Sequence, residues 1–137
     1  MGAWSHEPFG NDSACDWASD LEGTTDFSMI ETALDEMIEA EDDYLDADLG
    51  SAAIAAAEVL AKVLGQATQT EGYPDVVDEW LDQVGSKPST ELLQKAQRAL
   101  ELVLTEESEL YELWMESEEY MIWQESVFKL QAALLAA

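Results

Sequence analysis

Residues 51–65, SAAIAAAEVLAKVLG, form an alanine-rich run that sets the class of the fold. Alanine has the highest helix propensity of the common residues, so this composition predicts a helix from Ser51 to Leu64. Gly65 follows as the residue at which such a helix commonly ends. Because the apolar stretch 52–57 is far shorter than the roughly 18 to 20 residues of a membrane helix, the run indicates a helix of a globular domain.

Helical periodicity and capping residues recur on both sides of this run. Asn11 can begin a first helix that ends near Gly23, and Thr25 or Asp26 can cap a second helix through Ile38. No stretch alternates in polarity as a strand does, so the chain is predicted to be all-α. We expect a single domain over residues 1–137, with about six or seven helices and an anchored arm at 1–10. The remaining helices are predicted from Asp75 to Val84, from Thr90 to Leu104, from Glu107 to Met115 and from Ser117 to about Leu135.

Charge is the strongest feature of the composition. The 137 residues include 31 acids and five bases, which gives a formal charge of −26. A hydrophobic share of 47% and five tryptophans nevertheless favour a packed core over a disordered chain. The charge repels nucleic acids and anionic membranes, which are themselves polyanions. Direct binding to nucleic acid or to a membrane is therefore not expected. We expect a basic partner instead.

The five basic residues are spaced to support single helices. A glutamate four residues before a lysine is the favourable orientation for a local pair, worth about 0.2–0.5 kcal/mol. The bases are therefore expected to do little to dilute the acidic surface. The pairs with this spacing are Glu58–Lys62, Glu91–Lys95 and Glu125–Lys129, while Lys87 lies four residues before Glu91 and Arg98 three residues before Glu101.

The first 23 residues contain no lysine or arginine. A secretory signal needs a basic segment before an uninterrupted apolar one, and Glu7, Asp12 and Asp16 interrupt the apolar character here. A single cysteine cannot form an internal disulfide, which fits a reducing compartment. We therefore expect a soluble, cytoplasmic protein.

Two possible chemical sites do not meet the requirements of their chemistry. A reactive thiolate needs positive surroundings, and the region that holds His6 and Cys15 is acidic, so Cys15 is interpreted as a small structural side chain. A calcium loop that begins at Asp46 places Asp48 correctly but ends on Ala57, where glutamate is required. The chain also lacks a glycine-rich phosphate loop and a G-x-S-x-G motif. The sequence predicts no enzyme activity, no metal and no cofactor.

Carboxylates at helical spacing form the one constellation that favours a function. Like charges at this spacing cost a helix a few tenths of a kcal/mol per pair, and neighbouring carboxylates lie about 5–6 Å apart, close to the spacing of backbone phosphates. Such a surface serves either solubility and tolerance of high salt or the capture of a basic protein. Tyr44 is the expected apolar contact within it. The predicted partner surface consists of Glu31, Asp35, Glu39, Asp42, Asp43, Tyr44, Asp46 and Asp48.

Three aromatic residues near the C-terminus allow another interpretation. Trp114, Tyr120 and Trp123 have helical spacing and lie beside apolar residues, which is typical of a core. The same side chains could instead line a ligand cleft. A small ligand-binding domain or an enzyme with an aromatic cleft therefore stays open as an alternative function.

The opening of the chain resembles a small bacterial family of unknown function whose members begin M-G-A-W-G-x-G-x-F-x-N-D-x-A-x-D-[WF]. Ser5 and Glu7 replace two glycines of that pattern. The stretches AAAEVLAKVLG, DEWL and ELYELWMESEEYMIWQESV are similar to that family too. The resemblance implies an all-α fold and no particular activity. The matching residues are Met1, Gly2, Ala3, Trp4, Phe9, Asn11, Asp12, Ala14, Asp16 and Trp17.

The charge and the absence of a catalytic motif lead to a functional hypothesis. We expect a binding protein that neutralises a basic partner, and by analogy with other small acidic proteins an immunity protein that inhibits a bacterial toxin such as a nuclease. A DNA mimic that inhibits a DNA-binding protein or a restriction enzyme is the second hypothesis.

Overall fold

The computed structural model describes residues 7–40, 43–68, 75–84 and 87–135, and these contain seven helices and no strand. The all-α prediction is therefore confirmed. The described residues also contain no helix that is long and apolar enough to cross a membrane. The helices are α1 (Asp12–Ser19), α2 (Ser28–Glu39), α3 (Ala47–Val63), α4 (Asp75–Gln83), α5 (Thr90–Val103), α6 (Glu109–Met115) and α7 (Tyr120–Leu135).

The alanine-rich helix α3 lies at the centre of the fold. It packs against α1, α2, α5, α6 and α7, and all its residues from Ala53 to Ala61 are buried. Small side chains let several helices approach one axis, which explains why alanine occupies most of this stretch. At Gly50 a Cβ atom would lie 3.3 Å from Leu110 Cδ2, so the missing side chain gives α6 room to approach α3.

Glu58 is the exception within this apolar helix. Its side chain is fully buried, although it belongs to one of the predicted local pairs with lysine. The carboxylate accepts a hydrogen bond from the Thr68 backbone N–H at 3.0 Å and another from the Thr68 hydroxyl. A buried charge is tolerated when such bonds satisfy it, so Glu58 fastens the segment after α3 to the core.

The start of α3 differs from the prediction by one turn. Asp46 Oδ1 accepts a hydrogen bond from the Leu49 N–H at 3.0 Å, so the helix begins at Ala47 and not at Ser51. Asp46, which belongs to the acidic stretch between the predicted second and third helices, therefore caps α3. The helix ends as predicted, with Gly65 at a φ of +76° directly after the C-cap.

The segment before α3 is joined to the segment before α6. The Leu45 N–H donates to the Glu107 carbonyl at 3.0 Å, and the Glu109 N–H donates to the Leu45 carbonyl at 2.8 Å. Glu109 Oε1 also accepts from the Ala47 N–H at 2.8 Å. These bonds hold the N-termini of α3 and α6 side by side.

Candidate partner-binding surfaces

The α2 part of the predicted partner surface is paired with a lysine of another helix. Lys95 Nζ on α5 lies 2.9 Å from Glu31 Oε2 and 3.0 Å from Asp35 Oδ1. The hydrogen bonds that Lys95 donates to Glu31 and then to Asp35 raise the pKa of Lys95. The expectation that Lys95 serves its own helix through Glu91 is therefore wrong, since its ion pairs join α5 to α2. Glu39, one turn further on α2, is exposed.

The second part of the predicted surface lies beside α6. Asp43 is exposed in the turn after α2, and Asp46 caps α3. Asp48 accepts a hydrogen bond from the Ser13 hydroxyl at 2.7 Å, which joins α3 to α1. Asp42 lies outside the described residues. Among the described residues, the structure thus separates Glu31, Asp35 and Glu39 on α2 from Tyr44, Asp46 and Asp48 near the starts of α3 and α6, and their role in binding stays a prediction.

Tyr44 is exposed over 56% of its surface, as an interface contact would be. The pKa of its hydroxyl is raised by partial desolvation, by the charges of Glu109 and Glu112 and by a hydrogen bond to Glu112. A neutral tyrosine hydroxyl can donate to a carboxylate, so this contact is favourable at neutral pH. Tyr44 therefore belongs with the acids of α6 rather than with those of α2.

A cleft of about 300 Å³ opens between α1, α3, α6 and α7. We call its apolar lining the floor, and its exposed or half-buried carboxylates, one each from α1, α3 and α6, the rim. No basic side chain lines this acidic cleft within the described part of the chain. The floor includes Ile54, Leu110, Leu113, Trp114, Trp123 and Val127, the rim acids are Asp12, Asp48 and Glu109, and the buried Glu7 also lines the cleft.

The aromatic trio considered in the sequence divides in the same region. Trp114 and Trp123 are buried and stacked, with ring centroids 5.9 Å apart and planes at 7°, and both line the acidic cleft. The Tyr120 hydroxyl instead donates to the Tyr111 hydroxyl at 3.2 Å, and Tyr120 does not line the cleft. The two tryptophans thus serve both the core and the cleft.

Large apolar side chains are exposed along one side of the last helix. Met121, Phe128 and Leu135 are spaced by seven residues, so they share one face of α7, and Ile122 lies at the edge of that face. Their exposed fractions are 69%, 50%, 75% and 48% in the order Met121, Phe128, Leu135, Ile122. We call these four residues the outer face of α7. The opposite face is the buried one, with Trp123, Val127, Leu130 and Leu134.

The outer face of α7 could have been recognised in the sequence. The prediction considered only the helix face that holds Trp123, Val127 and Leu130. The apolar residues on the other face of the same helix received no interpretation. A helix that is apolar on two faces needs two apolar neighbours. The cleft, in contrast, depends on how four separate segments meet, which local spacing does not reveal.

Cys15 has the structural setting that the sequence indicated. Its thiol is half-buried and donates to the Phe9 carbonyl at 3.6 Å. Burial raises the pKa of Cys15, and the charges of Asp12 and Asp16 raise it further. A raised pKa lowers the thiolate fraction, which is unfavourable for a nucleophile. His6 lies outside the described residues.

The comparisons with known proteins yield one family. A model of a family described as a domain of unknown function, DUF4259, matches residues 2–126. No curated protein and no solved structure matches the chain. In the described residues no three acidic, histidine or cysteine side chains are grouped so that they could hold a metal ion.

Proposed function

We propose that this chain, which belongs to the DUF4259 family, is an acidic binding protein that neutralises a basic protein partner. In this proposal it acts in the cytoplasm of a bacterial cell as an immunity protein, and its partner is a toxin such as a nuclease. The observation that carries the proposal is the outer face of α7, an apolar strip on a chain of charge −26.

The exposed apolar strip argues against a surface shaped by solubility alone. Exposed single apolar residues are ordinary, but a contiguous apolar strip on a polar surface is typical of an interaction site. Acids around such a strip attract a basic partner and speed association, whereas buried apolar contacts determine how long the complex lasts. Charge and apolar contact together favour a protein as the partner rather than a small ion.

Charge also disfavours a second copy of the chain as the occupant of this face. Two chains of charge −26 repel each other strongly at low salt, whereas a basic protein is attracted under the same conditions. Lys129 is exposed near this face, but exposed glutamates at 118, 119 and 125 outnumber it in the same segment. The electrostatic preference is therefore for a cationic surface.

Affinity capture at low salt tests the proposal. The tagged chain is incubated with extract of its native cell, and the bound proteins are eluted by raising the sodium chloride concentration. A variant with Met121→Ser and Phe128→Ser is the matched control, since it retains the charge of −26. We expect one basic protein that the native chain retains and the variant loses, and whose activity the native chain inhibits in a purified assay.

Other outcomes of this capture would contradict the proposal. Retention of the same proteins by both baits would show that charge alone acts. Capture of several unrelated DNA-binding proteins, each displaced from DNA by the chain, would support the DNA-mimic hypothesis instead.

A further inference from the structure

The acidic cleft combines two kinds of surface that rarely suit one simple ligand. Its floor is built from aliphatic side chains and two tryptophans, and its rim consists of carboxylates. An apolar molecule would leave the negative charge of the rim unbalanced, and a small ion would leave the floor unfilled. A cation carried on an alkyl stem satisfies both surfaces, because such side chains bury the stem along apolar surface and keep the charge at the end.

Two acids of the rim are held in place before any ligand arrives. Asp48 is bound by the Ser13 hydroxyl at 2.7 Å, and Glu109 by the Ala47 N–H at 2.8 Å. A carboxylate has about four acceptor sites, so one such bond leaves capacity for another donor. Fixed side chains lose little entropy when a ligand binds, which increases affinity.

The rim remains negative although helix N-termini surround it. Asp12, Asp48 and Glu109 each lie in the first turn of a helix, where the positive end of the dipole favours an acid. Each N-terminus contributes only about half of an elementary charge, so the three carboxylates of the rim outweigh the three helix ends. The local field therefore attracts a cation.

We propose that the acidic cleft binds an arginine side chain of the basic partner, and this inference rests on the proposed function. A guanidinium group is planar and carries five donors, so one group can reach carboxylates that belong to different helices. Its stem and its plane also suit a floor that contains Trp114 and Trp123. Ser126 lines the cleft one helical turn after Ile122, so α7 contributes both to the cleft and to its outer face. A partner seated on the outer face can thus extend an arginine into the cleft.

Titration with a single amino-acid probe tests the chemistry of the cleft. N-acetyl-arginine methylamide is added to the native chain, and N-acetyl-citrulline methylamide serves as its neutral isostere. Backbone and indole NMR shifts report the site. We expect shifts around Trp114 and Trp123, and binding of the citrulline probe at least about tenfold weaker, which corresponds to about 1.4 kcal/mol.

Three variants locate the site on the rim. A variant with Asp12→Asn, Asp48→Asn and Glu109→Gln keeps one acceptor oxygen at each position but removes the charge, and it should bind the arginine probe at least about tenfold more weakly. The control variant, Asp78→Asn, Glu79→Gln and Asp82→Asn, carries the same charge change on α4 and should bind as the native chain does. Ser126→Phe fills the cleft without changing the charge and should prevent binding while the thermal melt shows a folded protein.

The outcomes separate this inference from the proposed function. Equal binding of both probes, or equal loss in the rim and control variants, would overturn the arginine assignment. The Ser126→Phe chain is also tested against the captured partner, and we expect its affinity to fall by about tenfold. Unchanged affinity for the partner would overturn the inference while the proposed function stood.

Discussion

Glu58 is the most deeply buried acid in the described residues. It is fully buried in α3 and accepts hydrogen bonds from the backbone and the hydroxyl of Thr68. Removal of a charged acceptor from buried donors costs about 1.5–3 kcal/mol. We therefore expect Glu58→Ala to lower the free energy of unfolding by that amount, as measured by urea denaturation.

Two other variants calibrate this measurement. Glu58→Gln keeps one acceptor oxygen and should lose less than Glu58→Ala. Glu91→Ala removes an exposed acid from α5 and should change the stability by less than about 0.5 kcal/mol. If Glu58→Ala were as stable as Glu91→Ala, the fastening role of Glu58 would be wrong.

Cys15 should react slowly for a protein thiol. Burial and the charges of Asp12 and Asp16 raise its pKa above the ordinary value of 9.0. The thiolate is the reacting form, so at a given pH less of Cys15 is reactive than of a free cysteine. The rate of alkylation by iodoacetamide should rise with pH and reach half of its plateau above pH 9.0.

Unfolding the chain checks the cause of the slow reaction at Cys15. In urea sufficient to unfold the chain, the midpoint should return toward that of a free cysteine. An alkylation midpoint below that of a free cysteine in the folded chain would contradict the environment described here and would revive a nucleophilic role.

At the scale of elements, α6 approaches the first turns of α3 closely. A Cβ atom on residue 50 would lie 3.3 Å from Leu110 Cδ2 and 3.4 Å from Leu110 Cβ. A branched side chain there must displace Leu110, and overpacking of this kind costs about 1–3 kcal/mol. We expect Gly50→Val to lower the melting temperature clearly more than Ala52→Val, which places the same side chain at a half-buried position of α3. Equal losses in the two variants would mean that the contact between α3 and α6 is not tight.

The sequence predicted the elements well because their signals are local. Asn11 and Ser89 cap helices as predicted, through bonds to the N–H groups of Ala14 and Leu92, and Gly65 ends α3. The start of α3 was missed because the helix was predicted from the alanine-rich run alone, which begins at Ser51. Asp46 shows that an acid before such a run can instead be a cap.

The candidate sites were less predictable because they depend on contacts between elements. Lys95 has a glutamate at the favourable local spacing, yet it pairs with Glu31 and Asp35 across a helix boundary. Local pairs are weak, so tertiary packing decides which acid a lysine reaches. The acidic cleft likewise arises where α1, α3, α6 and α7 meet, and no short stretch of sequence contains it.

At the scale of the whole molecule, self-repulsion should limit stability. With 31 acids and five bases, the folded chain concentrates negative charge that salt can screen. The Debye length falls from about 10 Å at 0.1 M to about 3 Å at 1 M ionic strength. The melting temperature should therefore rise with sodium chloride over this range.

A less charged variant provides the control for this effect. Asp78→Asn, Asp82→Asn and Glu91→Gln remove three exposed charges from α4 and α5. This chain should melt higher than the native one at low salt and should gain less from added salt. A melting temperature that is flat or falls with salt in the native chain would show that its acids are locally compensated.

Hydrogen exchange on the complex with the captured basic protein tests whether the outer face of α7 contacts the partner. The free and bound chains are compared by mass spectrometry, peptide by peptide. The outer face of α7 is proposed to make the apolar contact with the partner. We therefore expect slower exchange over residues 120–135 in the complex than in the free chain. Protection confined to α2, or no change over residues 120–135 in a saturated complex, would contradict it.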